Sequence, residues 1–254
     1  MFAIDRSSYR ATSNYNCRIR FLVLHYTSVD FVNSIKKLTG NYISSHYLIP
    51  DPSDPSYQAE GFKEVKIFEL VDESQRAWHA GISAWQKRTH INDTSIGIEL
   101  VNQSSMHRKS LHFQPFHEEQ IQALIHLCHD ILQRHPDIES HRVIAHSDIA
   151  IGRKFDPGAL FPWKLLYDAG IGAWYDKETQ SSYMSKFKRD PPSQQECLQR
   201  LQRYGYTSPS QHLDIKAYEQ LVMAFQMHFR PHLYHGHMDT ETASILFALT
   251  DKYC

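Results

Sequence analysis

The sequence has no excess of either charge: 27 lysines and arginines stand against 28 aspartates and glutamates in 254 residues, a formal net charge of −1. Duplex nucleic-acid binding relies on clustered cations that release counterions from phosphates, so this balance sets that class aside. It also lacks any apolar run of roughly eighteen residues, which excludes a spanning helix. The opening stretch MFAIDRSSYR has neither the apolar centre nor the small-residue cleavage site of a signal peptide. The protein is therefore read as cytoplasmic, or as exported or anchored by a segment outside this sequence. Cysteine is scarce and scattered. Cys17, Cys128, Cys197 and Cys254 form no CxxC pair, which removes the usual thiolate metal and redox motifs. They read as two buried apolar residues, Cys128 among them, and two surface thiols. Histidine is plentiful, at 17 residues, and imidazole is both the commonest metal ligand and the side chain that titrates near neutrality.

Short apolar, β-branched runs at residues 19–24, 45–49, 65–70, 96–101 and 142–145 read as strands. Between them Ile121, Leu124, Ile125, Cys128, Ile131 and Leu132 recur at helical spacing, and residues 30–39 read as a further helix. Strands alternating with helices predict an α/β fold, with a mixed central β-sheet flanked by helices, over residues 1–176. Residues 50–61 hold three prolines and are expected to be an irregular loop. Residues 177–192 are polar, end in Pro191-Pro192 and read as a linker. After it the pattern is helical only: a helix that stops at Gly205, a stripe from Ile215 to Phe229 ended by Pro231, and a last helix N-capped by Asp239. Residues 193–254 are thus expected to form a small three-helix domain, removable without loss of the chemistry of the first.

Three segments place ionisable residues at the ends of apolar strands, where scaffolds commonly present functional groups. They are VLHYT with His25, IGIELVN with Glu99, and IAHSD with His146, followed by RKFDPG with Lys154 and Asp156. Catalytic zinc takes three protein ligands from imidazole and carboxylate groups and keeps one position open. His25, His146 and Asp156 supply that set if the fold joins the strand ends. Glu99 would serve as general base and Lys154 would stabilise an oxyanion. Each also has a plainer reading: a hydrogen-bonded structural histidine, a glutamate on a solvent edge, a turn aspartate, a surface lysine.

The series LHYT (24–27), SSHYLI (44–49), AWHAGISAW (77–85), NDTSIGIELVN (92–102), VIAHSDIA (143–150) and RKFDPG (153–158) resembles the type-2 zinc N-acetylmuramoyl-L-alanine amidases, most of all their AmiD-like branch. The resemblance spans essentially the whole chain. AFQMHFRP (224–231) with DTET (239–242) resembles the helical peptidoglycan-binding module that some members append. It implies one zinc ion on His25, His146 and Asp156, Glu99 as catalytic glutamate and Lys154 as transition-state lysine. The implied reaction is hydrolysis of the bond between N-acetylmuramic acid and L-alanine in peptidoglycan or muropeptides, for wall turnover or recycling. Tyr26, Thr27, Trp78, His79, Ser95 and Asn102 are the candidate substrate contacts. Trp78 is equally well read as a core aromatic, and His46 is favoured as structural. The protein is expected to be a monomer in the cell envelope or periplasm, the cytoplasm being the alternative. Two rivals are a non-catalytic muropeptide binder, which would not need all five residues, and a zinc peptidase acting within the stem peptide.

Overall fold

The computed structural model describes Ile4, Ser8, Tyr9, Ser13 and residues 16–107, 110–208 and 214–254. The first half of the chain forms β1 (Phe21–Tyr26), α1 (Phe31–Leu38), β2 (Tyr47–Ile49), α2 (Pro55–Ala59), β3 (Phe68–Glu69), the hairpin β4 (Ala84–Trp85) and β5 (Arg88–Thr89), and β6 (Ser95–Leu100). Next come the hairpin β7 (Ser105–His107) and β8 (Ser110–His112), α3 (Glu118–Arg134), β9 (Val143–Ala145), α4 (His146–Ile149) and α5 (Trp163–Asp168). Helices α6 (Lys177–Phe187), α7 (Gln194–Tyr204), α8 (Ile215–Phe229) and α9 (Thr240–Tyr253) complete it. None of the described helices is long and apolar enough to cross a membrane.

The mixed sheet flanked by helices is the expected fold. Its order is β3-β2-β6-β1-β9, parallel except for the antiparallel edge strand β3. Strands β1 and β6 lie inside the sheet and are buried almost throughout, which is why both read as near-continuous apolar runs. They pair in register, Phe21 opposite Ser95, Val23 opposite Gly97 and His25 opposite Glu99. Alternate residues of a strand share a face. One face of this pair therefore carries Ser95, Gly97 and Glu99 together, with His25 beside Glu99.

Two segments of the fold differ from what their sequence predicts. Within residues 50–61, Asp54 accepts the Ser56 N–H at 2.7 Å and Pro55 occupies the first turn, so a one-turn helix, α2, replaces the irregular loop. Its Tyr57 packs edge-on to Phe31 of α1. The larger correction concerns residues 177–192. The expected linker is mostly α6, N-capped by Asp176, whose carboxylate accepts the Thr179 N–H at 2.8 Å. Its sequence, KETQSSYMSKF, shows little periodicity, and the Ser181 and Ser185 hydroxyls donate to the carbonyls four residues back. The helix is held by α9 instead: Tyr183 and Phe187 pack on Phe247, and Gln180 Nε2 donates to Ser244 Oγ at 2.9 Å.

The C-terminal part therefore has four helices, and its core runs on into that of the sheet. Trp85, fully buried in the β4–β5 hairpin, packs against Tyr204 and Tyr206. Gly205, between them at φ +150°, leaves room for the indole; a Cβ there would stand 2.3 Å from Trp85 Cε2.

Candidate metal centre and active site

Strand β1 delivers His25 to the site. Strand β9 leads straight into α4, whose first residue is His146, and the turn after α4 brings back Asp156. The carbonyl of Asp156 accepts the Ser147 N–H at 2.9 Å, so the two later ligand positions are tied through backbone. His25 Nδ1 lies 3.0 Å from His146 Nδ1 and 3.0 Å from Asp156 Oδ2, and His146 Nδ1 lies 2.9 Å from that oxygen. Among the described residues this is the one cluster of three or more such side chains within metal-binding reach, and all three are buried.

The donor atoms fit a metal better than they fit one another. His146 Nε2 donates to the Ala80 carbonyl at 3.1 Å, which leaves Nδ1 as the ring atom that faces Asp156 Oδ2. Burial, with His146 adding to it, lowers the pKa of His25 to about 4 and keeps that ring neutral. Burial alone would raise the Asp156 carboxyl, but the imidazoles of His146 and His25 outweigh it and hold the group below the usual carboxylate range. Three possible ligand atoms thus converge at 2.9–3.0 Å, a triangle that one cation can face as a whole. Tetrahedral zinc at ordinary ligand distances spaces its donors about 3.3 Å apart, close to what is seen.

A second layer stands behind the cluster. His79 Nδ1 is 3.0 Å from His25 Nε2, and its Nε2 is 3.1 Å from Ser95 Oγ. The ring lies over Gly97, where a Cβ would stand 2.5 Å from His79 Cγ. Burial, with His25 beside it, drives the His79 pKa well below its ordinary value. His46 is structural, as expected: its Nδ1 accepts the Gly97 N–H at 3.0 Å.

Above the cluster opens a cavity of about 320 Å³ lined by Tyr26, Thr27, Trp78, His79, Glu99 and Lys154, with His146 and Asp156 in its wall. Glu99 is buried there, and its Oε2 has no hydrogen-bond partner. Burial and then the charge of Asp156 raise its pKa to about 8, against the opposing pull of Lys154 and Lys37. Trp78 is 52% exposed at the cavity, which favours the cleft reading over the core one.

Two expected contacts lie elsewhere. Ser95 is buried beneath His79 and reaches no cleft surface. Asn102 is buried as well, donating to the Gln114 and Pro115 carbonyls and accepting from Ser104, so its amide is spent on a turn. Conversely, the cavity takes in Lys37, Met106 and Arg153, which the sequence reading passed over. Arg153 donates to the carbonyls of Ala80 and Ile82 at 2.9 and 2.6 Å, pinning the segment that carries His79. Its neighbour Lys154 drew the attention in the sequence; nothing local marks Arg153 as the partner of a loop seventy residues earlier.

Comparison with known proteins gives the family. The family model described as N-acetylmuramoyl-L-alanine amidase matches residues 15–159. The chain is 46% identical over 240 residues to N-acetylmuramoyl-L-alanine amidase AmiD of Escherichia coli K12, covering 93% of this chain and 84% of that one. The crystal structure of AmpDh3 from Pseudomonas aeruginosa in complex with anhydromuramic pentapeptide superposes with a TM-score of 0.97 at 52% identity, over 100% of this chain and 99% of the other. The complex of E. coli AmiD with anhydro-N-acetylmuramic acid-L-Ala-D-γ-Glu-L-Lys superposes with a TM-score of 0.86 at 43% identity, over 97% and 94% of the two chains. The family model over more than half of the chain and the 46% identity over nearly all of it show that the chain belongs to the N-acetylmuramoyl-L-alanine amidase family.

Proposed function

We propose that this chain hydrolyses the amide between N-acetylmuramic acid and the L-alanine of peptidoglycan stem peptides, with zinc held by His25, His146 and Asp156. The observation that carries the reading is the meeting of those three donor atoms beside a buried, unpartnered Glu99 carboxylate oxygen. When bound, zinc supplies a Lewis acid for the scissile carbonyl and lowers the pKa of water toward neutrality. Glu99 takes the proton of the attacking water and hands it to the leaving amine as the C–N bond breaks. A carboxyl raised by burial suits that exchange, since it gains and loses a proton near neutral pH. Lys154 offers its ammonium to the oxygen that turns negative at the tetrahedral stage. Trp78 gives an exposed aromatic face for sugar or peptide. The relatives solved with anhydromuramyl peptides support acceptance of such ends here. The substrate points to the cell envelope or periplasm, and the resemblance assigns retention of the polymer to residues 193–254.

Mass spectrometry of digested muropeptides tests the bond cleaved. Stem peptides beginning with free L-alanine are expected; release of D-alanine with the lactyl amide intact would overturn the proposal in favour of a peptidase. Chelation should abolish turnover and zinc should restore it, whereas full turnover in a metal-free sample would remove the metal from the reaction.

His79 holds His25 for this task. With Nδ1 of His25 given to the metal, its Nε2–H donates to His79 Nδ1, and His79 Nε2–H donates to Ser95. Gly97→Ala puts a methyl group into the His79 ring and is expected to cost about 10–100-fold in zinc affinity, as outer-partner losses commonly do. Dialysis against a zinc buffer reads this directly, and a G97A protein that keeps its metal as firmly as the parent would discard the relay.

A further inference from the structure

We infer that the C-terminal helices position the metal centre, through a buried carboxylate that brackets one of its ligands. The inference rests on the reading of His25, His146 and Asp156 as zinc ligands. Asp148 is fully buried two residues after His146. Its Oδ2 accepts the N–H of Ala145, the residue before His146, at 2.9 Å. The same oxygen accepts His228 Nδ1–H from α8 at 2.7 Å, and Oδ1 accepts the Tyr206 hydroxyl, just past α7, at 2.8 Å. One carboxylate thus grips the chain on both sides of the ligand and is itself gripped from the C-terminal part.

Helix α4 needs such a grip. It has four residues, and a single turn has no stability of its own, so tertiary bonds must set its geometry. The donors are well fixed. The His228 ring stacks on Trp163 at 3.8 Å and on Phe229 at 3.9 Å, and Tyr206 packs against Trp85 at 4.9 Å. A buried carboxylate that loses a donor in these surroundings keeps its desolvation cost and loses its compensation, so the segment shifts to find another. Tyr206, His228 and Asp148 are positioning residues: none touches the reacting atoms, and each acts through His146.

The test uses the full chain and zinc alone, titrated in competition with a chromophoric chelator at fixed pH, with thermal unfolding followed in parallel. Tyr206→Phe removes one hydroxyl and keeps the ring; His228→Leu removes the imidazole donor; His228→Asn restores an N–H near the place of Nδ1. Leu246→Ala opens a cavity in the C-terminal core at a side chain that takes no part in these hydrogen bonds. Zinc affinity is expected to fall about 10–100-fold in Y206F and H228L, the range for partners behind a metal ligand. H228N should recover most of it, and L246A should lower the unfolding temperature with zinc affinity unchanged. Folded Y206F and H228N proteins matching the parent, together with an H228L protein within about threefold of it, would overturn the inference. An equal loss in L246A would overturn it too, by reducing the effect to stability. A parent chain that takes up no zinc would instead bring down the metal reading on which the inference stands.

Discussion

Glu99→Ala is expected to lower kcat on an anhydromuramyl peptide by about 10²–10⁴-fold, the usual share of a positioned general base, while zinc content and fold are kept. The asymmetry follows from its surroundings. Glu99 accepts no hydrogen bond at Oε2 and makes no ion pair among the described residues, so truncation breaks nothing that holds the sheet. It also removes a buried ionisable group, whose desolvation the fold otherwise bears. Glu99→Gln sharpens the test by keeping shape and burial while abolishing proton exchange. Chromatographic assay of released stem peptide, with metal analysis and circular dichroism on the same samples, separates the outcomes. Turnover near the parent's in either variant would take the proton-transfer role away from Glu99, and loss of zinc would recast it as a structural residue.

Ending the chain at Pro192 is expected to destroy the folded enzyme and not merely its hold on the polymer. Such a truncation strips Tyr204 and Tyr206 from Trp85, α9 from Phe187 and His228 from Trp163. Loss of packing around one large aromatic costs about 3–5 kcal/mol, and several such losses exceed the roughly 5–15 kcal/mol that holds a typical domain together. The truncated chain should be insoluble or should lack near-ultraviolet dichroism and cooperative unfolding. A soluble, cooperatively folded chain of residues 1–192 with the parent's turnover would show that the last three helices are a detachable module after all. That was the natural expectation from sequence, where Pro191-Pro192 and the polar run before it resemble a boundary.

The difference shows which kinds of information a sequence carries plainly. His25 and Glu99 stand out because each interrupts an apolar strand, a contrast visible within six residues. The caps at Asp176, Ser193, Asp214 and Asp239 are equally local, each bonding within three residues. Helix α6 is obscure because its stability comes from α9, more than fifty residues on. Ser95 and Asn102 look like ligand-holding polar residues at strand ends until burial shows their hydrogen bonds already used. Asp148 sits inside a segment that drew attention for its histidine, yet its partners lie 58 and 80 residues away, and no spacing rule reaches them.

The in-register pairing of β1 with β6 has a further consequence. If β6 slipped by one residue, Ile98 or Leu100 would come to stand beside His25, and the Glu99 carboxylate would be driven into the aliphatic layer on the other face of the sheet. That burial costs several kcal/mol without a partner, so the inactive alignment is also the unstable one. Folding thus proofreads the candidate site: a molecule that mispairs these strands loses stability together with the pairing of His25 and Glu99, and no separate check is needed to keep the two abreast.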